Sequence, residues 1–142
     1  MRSLSRRLQL EESLLKKNFG PSWRIQRVPA LGAVGTLRSN GGTEYGLWLP
    51  LDDFPDQVPS AFIVSPELRT RSGRKLPELD RRMHTLDRNE HGHVQVCHYN
   101  RSYWAADVTL YKVVLKLRIW LEAYESHLRT GKAIDSLLGH QD

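Results

Sequence analysis

The stretch AVGTLRSNGGTEYGLWLP, residues 33–50, reads as two strands and the turn that joins them. Ala33 to Leu37 is a short apolar run, and Ser39-Asn40-Gly41-Gly42 is a hairpin signal because Asn and Gly tolerate positive φ. Beyond the turn, Tyr45, Leu47 and Leu49 alternate with Gly46 and Trp48, the period of a half-buried strand. Working outward, Trp23, Ile25 and Arg27-Val28 begin an earlier strand, and Ala61 to Val64 makes a later one. Between them Pro50, Pro55 and Pro59 remove backbone donors and fix φ, so residues 50–60 are expected to cross the surface irregularly. The expectation is a four-stranded antiparallel meander.

A helix is predicted on each side of this sheet. Over residues 2–18, Leu4, Leu8, Leu14 and Leu15 return at helical spacing with charges between them. Phe19-Gly20-Pro21 ends that helix. A longer one runs from Leu110 to Leu128, with Thr109 as N-cap, Thr130-Gly131 as its end, and an apolar face of Val113, Val114, Leu117, Trp120, Leu121, Tyr124 and Leu128. Residues 66–80 are polar and basic and read as a mobile loop. Residues 81–107 have little periodicity, yet they hold four of the six histidines, the single cysteine Cys97 and Trp104. The order defines an α+β fold, with residues 1–142 as one domain.

Composition narrows the function classes. The chain has 39 % hydrophobic and 26 % charged residues, a globular balance. No run approaches the roughly 18 apolar residues of a membrane span, and the basic N-terminus lacks the apolar core of a signal peptide. One cysteine makes no internal disulfide, so a cytoplasmic protein is expected. The formal charge is +5, spread over Arg6, Arg7, Lys16 and Lys17 near the start and Arg69, Arg71, Arg74 and Lys75 in the polar loop. That distribution suits a solvated surface better than a nucleic-acid footprint.

The chemistry concentrates at Cys97, preceded by Val94 and Val96 and followed by His98. Two readings stand open: a thiolate nucleophile in a polar setting, or a buried cysteine acting as a small hydrophobe. His84, His91, His93 and His98 are the neighbouring candidates for acid–base work. A Cys-His hydrolase would pair Cys97 with one of them and use Asp87 or Asp107 to orient it. His91-x-His93 with Cys97-His98 offers zinc-type ligands but matches no usual finger or knuckle spacing, so no metal or cofactor is expected.

Taken in order, these landmarks resemble the ubiquitin-conjugating enzyme family. Arg6-Arg7-Leu8 and Leu14-Leu15 stand where the family has its basic-Leu first helix. Tyr45 to Pro50, Phe54-Pro55 and Pro59 match its aromatic-Pro pattern, followed by Ala61-Phe62-Ile63-Val64 as the fourth strand. His84, Cys97 and Trp104 keep the family's order of histidine, active-site cysteine and tryptophan, and Thr109-Leu110 opens the long helix. The family's His-Pro-Asn is here His84-Thr85-Leu86, which leaves Asn89 or Asn100 to take the asparagine's place. The family's two later helices have no counterpart after Gly131. The segment from Trp120-Leu121 through Tyr124-Glu125 to Thr130-Gly131 is similar to bacterial relatives in antiphage islands.

The resemblance implies a transferase that forms a thioester on Cys97. The partner it implies is a cyclic-oligonucleotide synthase of the nucleotidyltransferase superfamily, joined through its C-terminal tail. In that reading His84 orders the loop before Cys97, and His98 either donates to the oxyanion, lowers the thiol pKa or simply faces outward. The alternatives are a non-catalytic interaction module of the same fold, a Cys-His hydrolase, and a mixed disulfide at Cys97 in place of the thioester.

Overall fold

The 33–50 stretch forms its hairpin: β2 (Gly32–Arg38) pairs antiparallel with β3 (Glu44–Pro50), from Gly32↔Pro50 to Arg38↔Glu44. The turn closes with Gly42 N–H donating to Ser39 O at 2.9 Å, and Gly42 takes φ +92°, which a side chain would resist. Tyr45, Leu47 and Leu49 are buried while Gly46 and Trp48 are partly exposed, as the alternation predicts. β1 (Arg24–Gln26) adds to the outer edge of β2, and β4 (Ala61–Ser65) adds to β3. Trp23 is fully buried against β2, and a Cβ on Gly35 would sit 2.0 Å from its ring. Gly32 is covered in the same way by Trp48, at 2.1 Å. The computed structural model describes residues 2–138, with side chains from Leu4 onward; Met1 and residues 139–142, the ends of the expected 1–142 domain, lie outside the described residues.

The sheet has six strands, not the expected four. β5 (Thr85–Leu86) and β6 (Val94–Val96) form inside the segment that lacked periodicity, giving the antiparallel order β1-β2-β3-β4-β6-β5. With two and three residues, these strands are too short for a period-2 pattern to stand out. Val94 and Val96 nevertheless bury inward and Gln95 does not.

Helix α1 spans Arg2–Phe19 and α2 spans Leu110–Thr130. Thr109 caps α2, its side chain accepting from Lys112 N–H at 3.3 Å. Gly131, at φ +80°, closes α2 by donating to His127 O at 2.9 Å. Val113, Val114, Leu117, Trp120, Leu121 and Tyr124 bury one face of α2 in the same core as Leu8 and Leu15 of α1. Beyond Gly131, where no further helix was expected, five residues form α3 (Ile134–Leu138), anchored by the fully buried Ile134. The 66–80 loop is also more built than its polarity suggested. Leu68 and Leu76 are buried, Arg69 bridges to Lys75, and the Tyr124 hydroxyl both accepts from Arg69 N–H and donates to Arg69 O.

Glu11 lies on the inward stripe of α1 between Leu8 and Leu15 and is only 2 % exposed. It accepts from Arg7 Nε at 2.7 Å and from Leu110 N–H at 2.8 Å, satisfying a donor that the first turn of α2 leaves unpaired. Removing the carboxylate strands both donors. Glu11→Ala is expected to destabilise the fold by about 3 kcal/mol in urea denaturation.

Candidate active site around Cys97

The turn before β5 is built by Asp80 and Thr85. Thr85 N–H donates to Asp80 O, Met83 N–H donates to the Asp80 carboxylate, and the Thr85 hydroxyl donates to Pro77 O at 2.7 Å. Trp120 of α2 holds the turn from beneath, its Nε1 donating to Met83 O at 3.2 Å. His84 follows at φ +53°, a left-handed backbone uncommon outside glycine. Such a residue persists only where its surroundings hold it, and functional sites are enriched in them. Two contacts hold His84: its carbonyl accepts from Cys97 N–H at 2.7 Å, and its Nε2 meets Asp135 Oδ1 at 2.6 Å.

Cys97 sits one position past β6. Because Thr85 pairs with Val96 on one side and Ala61 pairs with Val96 on the other, Cys97 emerges between His84 and Ser60. Of the two readings open for the cysteine, the buried filler does not hold: Cys97 is exposed. Enough protein crowds the thiol for desolvation to push its pKa up from 9.0, with Arg101 pulling the other way. The resting thiol is therefore protonated near neutral pH.

A cavity of about 480 Å³ opens at Cys97. Cys97, His84 and His98 all line it, so the structure brings together the three residues singled out from sequence. Val58, Pro59, Leu86, Trp120 and Leu138 supply apolar walls, while Asn100, Arg101 and Lys116 supply polar ones. A second hollow of about 540 Å³ adjoins it, sharing Val58, Pro59, Ser60 and Arg101 and bringing in Asp52 and Asp53.

His98 is half-buried, but its Nε2 is sealed from solvent and has no hydrogen-bond partner. Its Nδ1 faces Val96 O at 3.4 Å; a carbonyl only accepts, so the proton resides on Nδ1. Burial pushes its pKa down to about 4, the Val96 contact opposing, and near neutral pH the ring lends no positive charge to the thiol. The neighbouring Tyr99 hydroxyl is buried without a partner as well.

Asn100 lines the same cavity. Its Oδ1 accepts from Ser102 N–H at 3.0 Å and from the Ser102 hydroxyl at 2.7 Å, starting the 3-10 turn Arg101–Tyr103. A backbone N–H must donate to oxygen, so the amide orientation is fixed and Nδ2 keeps its two donors. Asn89, the other candidate, is outside the cavity lining and spends its Oδ1 on the N–H groups of His91 and His93.

One group escaped the sequence reading. Neither Asp87 nor Asp107 lines the cavity; the acid on His84 is Asp135 of α3, 51 positions further along the chain. Asn100, named from sequence beside Asn89, owes its orientation to the Asn-x-Ser spacing of a side-chain cap. His91 and His93 lie near each other, with ring centroids 5.9 Å apart. Among the described residues no three His, Cys, Asp or Glu side chains converge on a metal-sized site, and no helix is long and apolar enough to cross a membrane.

No family model, curated protein sequence or solved structure matches this chain.

The buried His98 gives a pH signature. The unfolded chain protonates this histidine near 6.5 whereas the folded chain resists until about 4. Between those values the unfolded state binds the extra proton, so its share of stability is intact above pH 6.5 and is lost as pH falls toward 4. The loss amounts to at most on the order of 3 kcal/mol. Thermal unfolding of the wild type is expected to fall more steeply across this window than that of His98→Gln.

Proposed function

We propose that this protein is a ubiquitin-conjugating-like cysteine transferase. Cys97 takes the C-terminal carboxyl group of a partner protein as a thioester and hands it to an amine. We infer that the partner is a cyclic-oligonucleotide synthase and that the reaction serves bacterial antiphage defence in the cytoplasm. The observation that carries the chemical part is the position of the thiol. Cys97 is exposed at the edge of a cavity of about 480 Å³, room for the last residues of an extended tail. The order of helix, antiparallel sheet and long helix around it is compatible with a ubiquitin-conjugating-like fold. The family and partner assignments rest on the sequence landmarks Tyr45 to Pro59 and His84, Cys97, Trp104 and Thr109-Leu110.

Attack on a thioester gathers negative charge on the carbonyl oxygen, and hydrogen-bond donors fixed in advance stabilise it. The uncommitted Nδ2 of Asn100 supports a role for this residue as that donor, in place of the asparagine missing after His84. Arg101, next in sequence and near enough to act on the Cys97 thiol, adds a fixed positive charge.

Incubated with the synthase, an activating enzyme and ATP, the protein should give an adduct on a non-reducing gel that thiol reductant and hydroxylamine both remove. Cys97→Ser should abolish this adduct; one that survives the substitution rules the reading out, and one that resists hydroxylamine is a disulfide. Asn100→Ala should still form the thioester but pass it to amines about 100-fold more slowly, measured as the decay of the adduct.

A further inference from the structure

We infer that Asp135 of α3 is a positioning residue that makes His84 the general base at Cys97. The inference rests on the thioester reading above and adds the group that receives the proton.

An amine attacking a thioester must lose a proton, and nothing charged at Cys97 has been assigned that task. His98 is unsuited, with Nδ1 on a carbonyl and Nε2 sealed away. His84 is suited by a constraint that leaves no freedom in its tautomer. A carboxylate accepts only, so the 2.6 Å contact with Asp135 puts a proton on Nε2 and leaves Nδ1 as the nitrogen that can take one. His84 lines the cavity that Cys97 opens on, and the Cys97 N–H bond to the His84 carbonyl fixes the two backbones against each other. The same cavity is lined by Asn100 and Arg101, so the thiol and His84 share a recess with polar walls.

Asp135 is delivered on purpose-built scaffolding. Its own N–H donates to Arg82 O at 2.8 Å, two residues before His84, and the preceding Ile134 is fully buried. Leu138 of the same helix turn forms part of the cavity wall. The Asp135 side chain itself is 68 % exposed, so the fold does not need its charge.

In the step this arrangement performs, the amine nitrogen bonds to the thioester carbon and gives its proton to His84 Nδ1. The carbon–sulfur bond then breaks, and the leaving sulfur of Cys97 takes the proton from the imidazolium. Thioester and amine become amide and free thiol, with no oxidant or reductant. When the protonated Cys97 thiol itself attacks an electrophile, the same nitrogen takes the proton that the sulfur gives up.

The test uses the intact chain charged on Cys97 by thiol exchange with a short glycine-ended peptide thioester, followed by intact mass. Asp135→Asn presents an amide that donates to Nε2 and forces the proton onto Nδ1, the wrong tautomer. Discharge to free lysine should slow about tenfold or more, with thermal unfolding unchanged. Asp135→Glu, which keeps the acceptor, should restore most of the rate. Discharge to hydroxylamine, whose weakly basic nitrogen needs no such help, should be the same in all three proteins. Equal lysine discharge in Asp135→Asn overturns the inference, and so does an equal loss toward lysine and hydroxylamine, which marks a structural clasp. A chain that accepts no peptide counts against the transferase reading instead. In that case alkylation of the uncharged Cys97 by iodoacetamide still decides on the base: about tenfold slower in Asp135→Asn supports it, and an unchanged rate overturns it.

Discussion

Glu11 is a carboxylate shut inside an apolar core, and much of the site's framework runs through it. A buried charge must be paired, so Glu11 draws in Arg7 and the first N–H of α2. Arg7 then donates from Nη1 to Ala106 O and from Nη2 to Val108 O and lies over the Phe54 ring, with its Cζ 4.8 Å from the centroid. Phe54 packs on Trp104 and Trp104 on Tyr99, while the Trp104 Nε1 donates to Pro55 O at 2.9 Å. One charge thus joins the first helix, the start of the long helix, the proline-rich crossing and the segment after Cys97. Two of those pieces, around Val58-Pro59 and around Tyr99-Asn100, are walls of the cavity. A hydrophobic residue at position 11 could match the ion pair in energy but would lose the geometry it specifies.

What could be read in the chain depended on how far each signal extended. The 33–50 hairpin was legible because turn chemistry and alternation agree over eighteen residues, and both helices because their periodicity runs for many turns. β5 and β6 were not, because pairing rather than pattern makes them strands. Glu11 read as one more charge between leucines, yet it is buried where Leu14 is only half-buried. At the site, Cys97, His84 and His98 could be named from residue chemistry and order. Their mutual arrangement could not, since it follows from the β5–β6 register. Asp135 was out of reach because its partner is 51 positions away and the chain turns back at Gly131 in between.

The thiol's setting also bears on its lifetime. An exposed cysteine with a raised pKa stays neutral, and neutral thiols are slow to oxidise or alkylate. In the proposed reaction, such a thiol is held in reserve near neutral pH until an acyl group and a neighbouring base are both at hand.

Strand β2 is bound by a different rule, with an evolutionary edge. Two of its seven positions, Gly32 and Gly35, lie under the rings of Trp48 and Trp23 at distances that admit no Cβ. Each glycine and its indole are in effect one unit of inheritance. A descendant that gained a side chain at position 35 would have to give up the tryptophan at 23, together with the Nε1 bond to Thr36 O that pins it to β2. Divergent copies of this chain should therefore change these positions in pairs, and such paired changes would mark distant kin after the surrounding sequence had drifted.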